Sequence, residues 1–254
     1  MSGTTKIEWS EYVWNPVSGC HKVSKGCRNC YAERLWPRLA APGQPYEGRQ
    51  FTDVQCHVDR LEEPLSWRKP RRVFVNSMSD LFHKHVSDEF LDRVFAVMSS
   101  CPQHTFQILT KRPKRMQDYI ISRKHFSNWP LLSVWLGVSV ENQETADERI
   151  PLLLKTPAAL RFVSAEPLLG PIDLTNFLDG RLGWVIVGTE SGPEARPYRF
   201  DWILDILKQC RDAETPVFIK QITDLGRKIP YEILPPVMQV RHWPNVNGQM
   251  EMVG

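Results

Sequence analysis

The chain has 254 residues, 42% hydrophobic and 24% charged, with a net charge of +3. That supports one large globular domain over residues 1–254. So small an excess permits a nucleic-acid partner without demanding one. No apolar run is long enough to span a bilayer and the first ten residues lack secretory-signal character, so a cytoplasmic protein with no membrane partner is expected.

Residues 7–15 carry Trp9, Tyr12 and Trp14 ahead of Pro16 and read as a short extended segment leading into a cysteine loop over residues 15–32. Residues 31–36 read as a helix stopped or bent at Pro37, and the Pro/Gly-rich residues 40–50 as a surface loop. Residues 58–67 fit a short helix with Val58, Leu61 and Leu65 as its apolar face. Strands are then expected at 72–76, 104–109, 132–138, 160–164, 184–187 and 216–219. Between them fall helices: one capped by Ser87 with the stripe Phe90, Leu91, Val94, Phe95 and Met98, others at 113–122 and 143–154, and a short one near Asn176. A last helix, 200–211, has Phe200, Ile203, Leu204 and Leu207 as its expected core face. The tail from about 228 to 254 holds four prolines and reads as irregular.

Short apolar strands alternating with helices are the pattern of a parallel sheet covered on both faces. The fold class expected is α/β, a partial TIM-type barrel of six or seven β/α units. A doubly wound sheet is the alternative, and no G-x-G-x-x-G fingerprint follows a strand.

Cys20, Cys27 and Cys30 stand at C-x6-C-x2-C, two of them preceded by glycine. Thiolates this close in sequence can converge on one metal centre. Spacing leaves two centres open: a zinc ion with His21 or a distant side chain as fourth ligand, or an iron–sulfur cluster with one iron free. Cys56, Cys101 and Cys210 are isolated and read as core thiols. His83 and His85 read as loop residues, with metal ligation or acid–base chemistry as the alternative.

In β/α barrels the active site lies at the C-terminal ends of the strands. Here those ends are polar: Asn76, Ser77, Ser79 and Asp80, then Lys111 and Arg112, Ser139 and Glu141, Glu166, and Glu190. Any one could be a cap or a solvated charge. Five together point to one polar mouth.

The chain resembles the radical S-adenosylmethionine (radical SAM) superfamily, and more closely a family common in phages and bacteria. The resemblance rests on Ile7-Glu8-Trp9, Trp14-Asn15-Pro16, Gly19-Cys20, Gly26-Cys27 and Cys30-Tyr31-Ala32. It continues through Phe74 to Phe82, Leu109 to Pro113, Glu166 to Gly170 and Gly188 to Gly192. It implies that Cys20, Cys27 and Cys30 hold a [4Fe–4S] cluster whose fourth iron binds S-adenosylmethionine. Reductive cleavage then gives, typically, a 5′-deoxyadenosyl radical. By the same resemblance Tyr31 flanks the adenine, and Asn76, Ser77, Ser79 and Asp80 replace the Gly-Gly-Glu motif much as in the photoproduct-lyase-like branch. Lys111 or Arg112 meets the carboxylate, Ser139 and Glu141 lie near the ribose, and Glu166 and Glu190 remain for SAM or substrate. A flavodoxin- or ferredoxin-type reductant is implied, in a bacterial or phage-infected cell. The phage association and the DNA-repair branch point to a nucleic acid or nucleotide substrate. The commonest superfamily loop is C-x3-C-x2-C, from which this one departs. Two rivals follow from the residues: a barrel hydrolase using Glu166 and Glu190 as a carboxylate pair, and a zinc module binding nucleic acid through Arg68 to Arg72.

Overall fold

A computed structural model of the protein describes residues 2–123 and 129–244, with 251–252 as backbone. The last part of the expected tail, 245–250 and 253–254, lies outside the described residues. Eight strands form one sheet: β1 Gly3–Thr4, β2 Tyr12–Trp14, β3 Arg72–Val75, β4 Thr105–Thr110, β5 Val134–Val140, β6 Leu160–Ala165, β7 Trp184–Gly188 and β8 Val217–Gln221. Their order across the sheet is their order along the chain. No reversal point interrupts it, which separates a β/α barrel from a doubly wound sheet. β1 and β8 end the sheet and do not pair with each other, so the fold is a partial TIM-type barrel. The pairs β2–β3, β3–β4, β6–β7 and β7–β8 are parallel, while β1 runs antiparallel on β2. Every residue of β5 and β7 is buried, as a sheet covered on both faces requires.

Among the described residues five α-helices accompany the strands: α1 Tyr31–Leu39, α2 Asp88–Ser99, α3 Pro113–Arg123, α4 Gln143–Leu154 and α5 Phe200–Asp212. α2 starts where Ser87 accepts the Phe90 N–H, and all five of its expected stripe residues are buried. α4 starts in a capping box formed by Asn142 and Thr145. No helix among the described residues is long and apolar enough to cross a membrane.

Three expectations are corrected. Residues 58–67 form two 3-10 turns, Val58–Arg60 and Glu63–Ser66, rather than a helix. Pro64 has no N–H to continue an α-helical ladder, and of the supposed face only Leu61 is buried. The core face of α5 is Ile203, Ile206, Leu207 and Cys210, while Phe200 and Leu204 are exposed. The tail is only partly irregular. The Ile219 N–H donates to the Val240 carbonyl, and Trp243 packs on Phe218 and Trp184, which covers the open edge of β8.

The chain divides into two compact units. One is Met1–Leu136 with Thr156–Ala159; the other is Gly137–Lys155 with Leu160–Gly254.

Candidate functional site

In the first unit the cysteine loop is tied down at both ends. Gly19 has φ +82°, and a Cβ there would lie 2.6 Å from the Asp53 carbonyl oxygen, so only glycine lets the chain pass. The Gly19 N–H donates to Met78 and the Cys20 N–H to Phe51. Cys27 closes a 3-10 turn, Lys25–Cys27, with its N–H on the Ser24 carbonyl. Cys30 is the N-cap of α1, where the helix dipole favours negative charge. The inner face of α1 packs through Ala32 and Trp36 on Tyr46 and Met78, with Trp36 and Tyr46 stacked at 4.5 Å. All three thiols are free and half-buried. They share one electrostatic neighbourhood, since Cys27 acts on Cys20, and Cys27 and Cys30 both act on the Lys22 ammonium.

Arg112 anchors the loop to the end of β4. Its Nη1 donates to Asp80 Oδ2 at 2.8 Å and to Cys20 Sγ at 3.7 Å, and its Nη2 to the His21 carbonyl at 2.9 Å. Asp80 accepts three more hydrogen bonds, from Thr110 Oγ1, the Phe82 N–H and the Lys111 N–H. Arg112 thus ties Asp80 to the loop, while Asp80 itself bonds to Arg112 and to groups at the ends of β3 and β4. Burial, and after it the Asp80 carboxylate, push the Cys20 thiol up to about 11 against the pull of Arg112.

The strand-end residues around β3 serve the same junction. Asn76 sits at φ +64°, a left-handed conformation that asparagine tolerates, and its Oδ1 accepts the Val17 N–H. Its Nδ2 is buried without a hydrogen-bond partner. Ser77 Oγ donates to Asn15 Oδ1, Ser79 Oγ to the Val17 carbonyl, and Tyr31 Oη to the Ser77 carbonyl.

His21, His83 and His85 form a trio whose candidate ligand atoms lie within 4.8 Å of one another. Hydrogen bonding assigns its protons. The His85 N–H donates to His83 Nδ1, so the proton of neutral His83 is on Nε2 and points at His21 Nδ1, 2.9 Å away. Burial, with Arg112, His21 and His85, holds His83 down at about 4, in its neutral form. The Nδ1 lone pair of His21 is therefore engaged and its own proton lies on Nε2.

In the second unit the expected carboxylates each meet a cation. Glu141, almost fully buried, accepts from Arg149 Nη1 at 3.2 Å, and the same nitrogen donates to the carbonyl of Ser139. Ser139 lies within β5 rather than after it. Glu190 is held by Arg196 through Nε, Nη2 and the backbone N–H. Glu166 pairs with Lys220, and Gly188 leaves room for its carboxyl, since a Cβ there would lie 3.0 Å from Glu166 Cδ. Of the basic run, Arg71 lies 4.0 Å over the Tyr12 ring and Arg72 pairs with Glu11, while Arg68 and Lys69 are exposed.

Sequence reasoning missed Lys220, because the last strand was expected to stop at residue 219. It runs to Gln221, and Lys-Gln after Val-Phe-Ile is the same polar strand end seen elsewhere. Arg149 and Arg196 were missed as well, and no local spacing marks them as partners.

Together these features define an α/β protein of partial barrel fold with a three-thiol loop set at the start of α1. The chain belongs to the family described as "Protein of unknown function (DUF5131)", whose model matches residues 4–247. No curated protein matches it. Among solved structures it is similar to "Spore photoproduct lyase complexed with dinucleoside spore photoproduct", with a TM-score of 0.53 and 12% identity. That likeness covers 84% of this chain and 75% of the other, and it is a likeness of fold.

Proposed function

We propose that this protein is a radical SAM enzyme in which Cys20, Cys27 and Cys30 hold a [4Fe–4S] cluster with one iron left for S-adenosylmethionine. One observation carries the reading. Three free thiols share one short loop, and the histidine next to Cys20, His21, has its Nδ1 hydrogen-bonded to His83 Nε2. A three-thiolate set suits a cluster with an open iron. Arg112 at the Cys20 sulfur and the α1 N-terminus at Cys30 both offset negative charge, which such a set needs. When bound, the cluster supplies the electron that cleaves SAM and begins radical chemistry.

The chain's own residues take the remaining tasks. Tyr31 lies beside Cys30 to flank the adenine, and the unpartnered Asn76 Nδ2 is a buried donor for the methionine end of SAM. Ser77, Ser79 and Lys111 complete that polar set. Asp80 and Arg112 position the loop, their polar groups being spent there. Ser139 and Glu141 are the residues for the ribose, and Glu166 and Glu190 those for SAM or substrate. The fold likeness to a lyase solved with a dinucleoside bound supports a nucleic acid or nucleotide as substrate. A flavodoxin- or ferredoxin-type protein serves as reductant.

The test is anaerobic reconstitution with iron and sulfide, followed by absorption and electron paramagnetic resonance spectra with and without SAM. A spectrum that changes on adding SAM is expected, and Cys27→Ala should retain no cluster. A colourless protein holding only zinc would sink the proposal, as would no SAM cleavage after reduction.

A further inference from the structure

Between residues 20 and 40 the chain carries Lys22, Lys25, Arg28, Arg34 and Arg38 against a single acid, Glu33. That is a net +4 in 21 residues, against +3 for the whole chain, so the remainder is slightly acidic. All five cations are exposed. They lie on the cysteine loop and on the outward side of α1.

That side of α1 is unusual for a solvated helix. Ala32 and Trp36 face the core, which sets the opposite stripe at Tyr31, Arg34, Leu35 and Arg38, spaced i, i+3, i+4 and i+7. Tyr31 is 40% exposed and Leu35 44%, and Val23 on the loop is 47% exposed. Scattered apolar residues on a surface are ordinary. Here Leu35 stands between Arg34 and Arg38 on the helix, and Val23 stands between Lys22 and Lys25 on the loop. Apolar anchors ringed by cations are the composition of a protein interface that selects an acidic partner by charge.

We propose that this face of α1, with the exposed residues of the cysteine loop, docks an acidic electron-carrier protein. The inference rests on the cluster reading above: one electron leaves the carrier's reduced cofactor and enters the centre held by the thiols, with no bond made or broken at the surface. Electron transfer needs close approach, and this surface belongs to the same loop and helix that carry the three thiols. A nucleic-acid backbone would be served by the cations alone and gives no use to Val23 and Leu35.

The test measures binding of an acidic flavodoxin to the wild type, Arg34→Glu/Arg38→Glu, Leu35→Ala, and Arg93→Glu on the exposed side of α2 as a charge control. Binding should weaken steeply as salt shortens the screening length below about 10 Å. The double arginine variant should bind at least tenfold more weakly and lose most of that salt dependence. Leu35→Ala should weaken binding at every salt concentration, and Arg93→Glu should bind as the wild type does. With the small reductant dithionite, all variants should show the same cluster spectrum and the same SAM cleavage, while flavodoxin-driven cleavage falls with binding. Unchanged flavodoxin binding in the arginine variant overturns the proposal. So does loss of single-stranded DNA binding in that variant with flavodoxin binding intact, which would assign the surface to nucleic acid. A missing cluster spectrum in the wild type is a separate result and refutes the radical SAM reading itself.

Discussion

Asp80→Ala is the sharpest test of how the cysteine loop is held. The Asp80 side chain is 8% exposed and that of Arg112 14%, and the carboxylate accepts four hydrogen bonds. Removing it leaves a guanidinium buried without its counter-charge, which costs about 3–5 kcal/mol. At about 2–4 °C per kcal/mol for a chain of this size, Tm should fall by about 10 °C. Replacing both partners by apolar residues of similar volume, Asp80→Leu/Arg112→Met, should restore much of that loss, because no charge is then stranded. Thermal unfolding of the single and double variants, both without iron, reads the effect directly. Iron retention after reconstitution gives a second readout, since the same guanidinium binds Cys20 Sγ and the His21 carbonyl. An Asp80→Ala protein within about 1 kcal/mol of the wild type would refute the argument. A double variant as costly as the two singles summed would refute it equally.

Three further outcomes are expected. Gly19→Ala forces a Cβ against the Asp53 carbonyl at positive φ and should lower Tm and iron content together; a fully loaded variant would show that the turn is not needed. His57 is held at about 4, chiefly by burial, below its ordinary 6.5. The folded state therefore takes up this proton later than the unfolded chain does. The stability from His57 is complete above about pH 6.5 and is lost toward about pH 4, at about 1.4 kcal/mol per unit. Urea unfolding over that range should show a shallower loss in His57→Gln, and equal slopes would contradict the assignment. Glu166→Gln should keep the cluster spectrum and uncoupled SAM cleavage but lose turnover of a nucleotide substrate once one is found. Product formed at the wild-type rate would remove Glu166 from the site.

Local patterns in the sequence were enough to place most elements. The stripe from Phe90 to Met98 and the Ser87 cap locate α2 because helix periodicity and capping are properties of adjacent residues. The same logic failed at residues 58–67, where an apolar spacing met Pro64, and on α5, where two faces carried apolar residues and only packing chose between them. The cysteine loop stood out at once, since three thiols within eleven residues need no tertiary information to be seen.

The partners of the site were a different matter. Asp80 and Arg112 stand out in the sequence only as polar strand ends; the fold pairs them with each other, and Arg112 with Cys20 and the His21 carbonyl. His21 reads in the sequence as a candidate fourth zinc ligand, and only the fold shows its hydrogen bond to His83, 62 residues on. Lys220 reaches Glu166 across 54 residues, a pairing that the two polar strand ends do not reveal by themselves. Sequence alone thus established the β/α alternation and the three-thiol loop, which depend on neighbours in the chain. Which polar groups remain for a cofactor depends on long-range hydrogen bonds and ion pairs, and only the folded chain sets those.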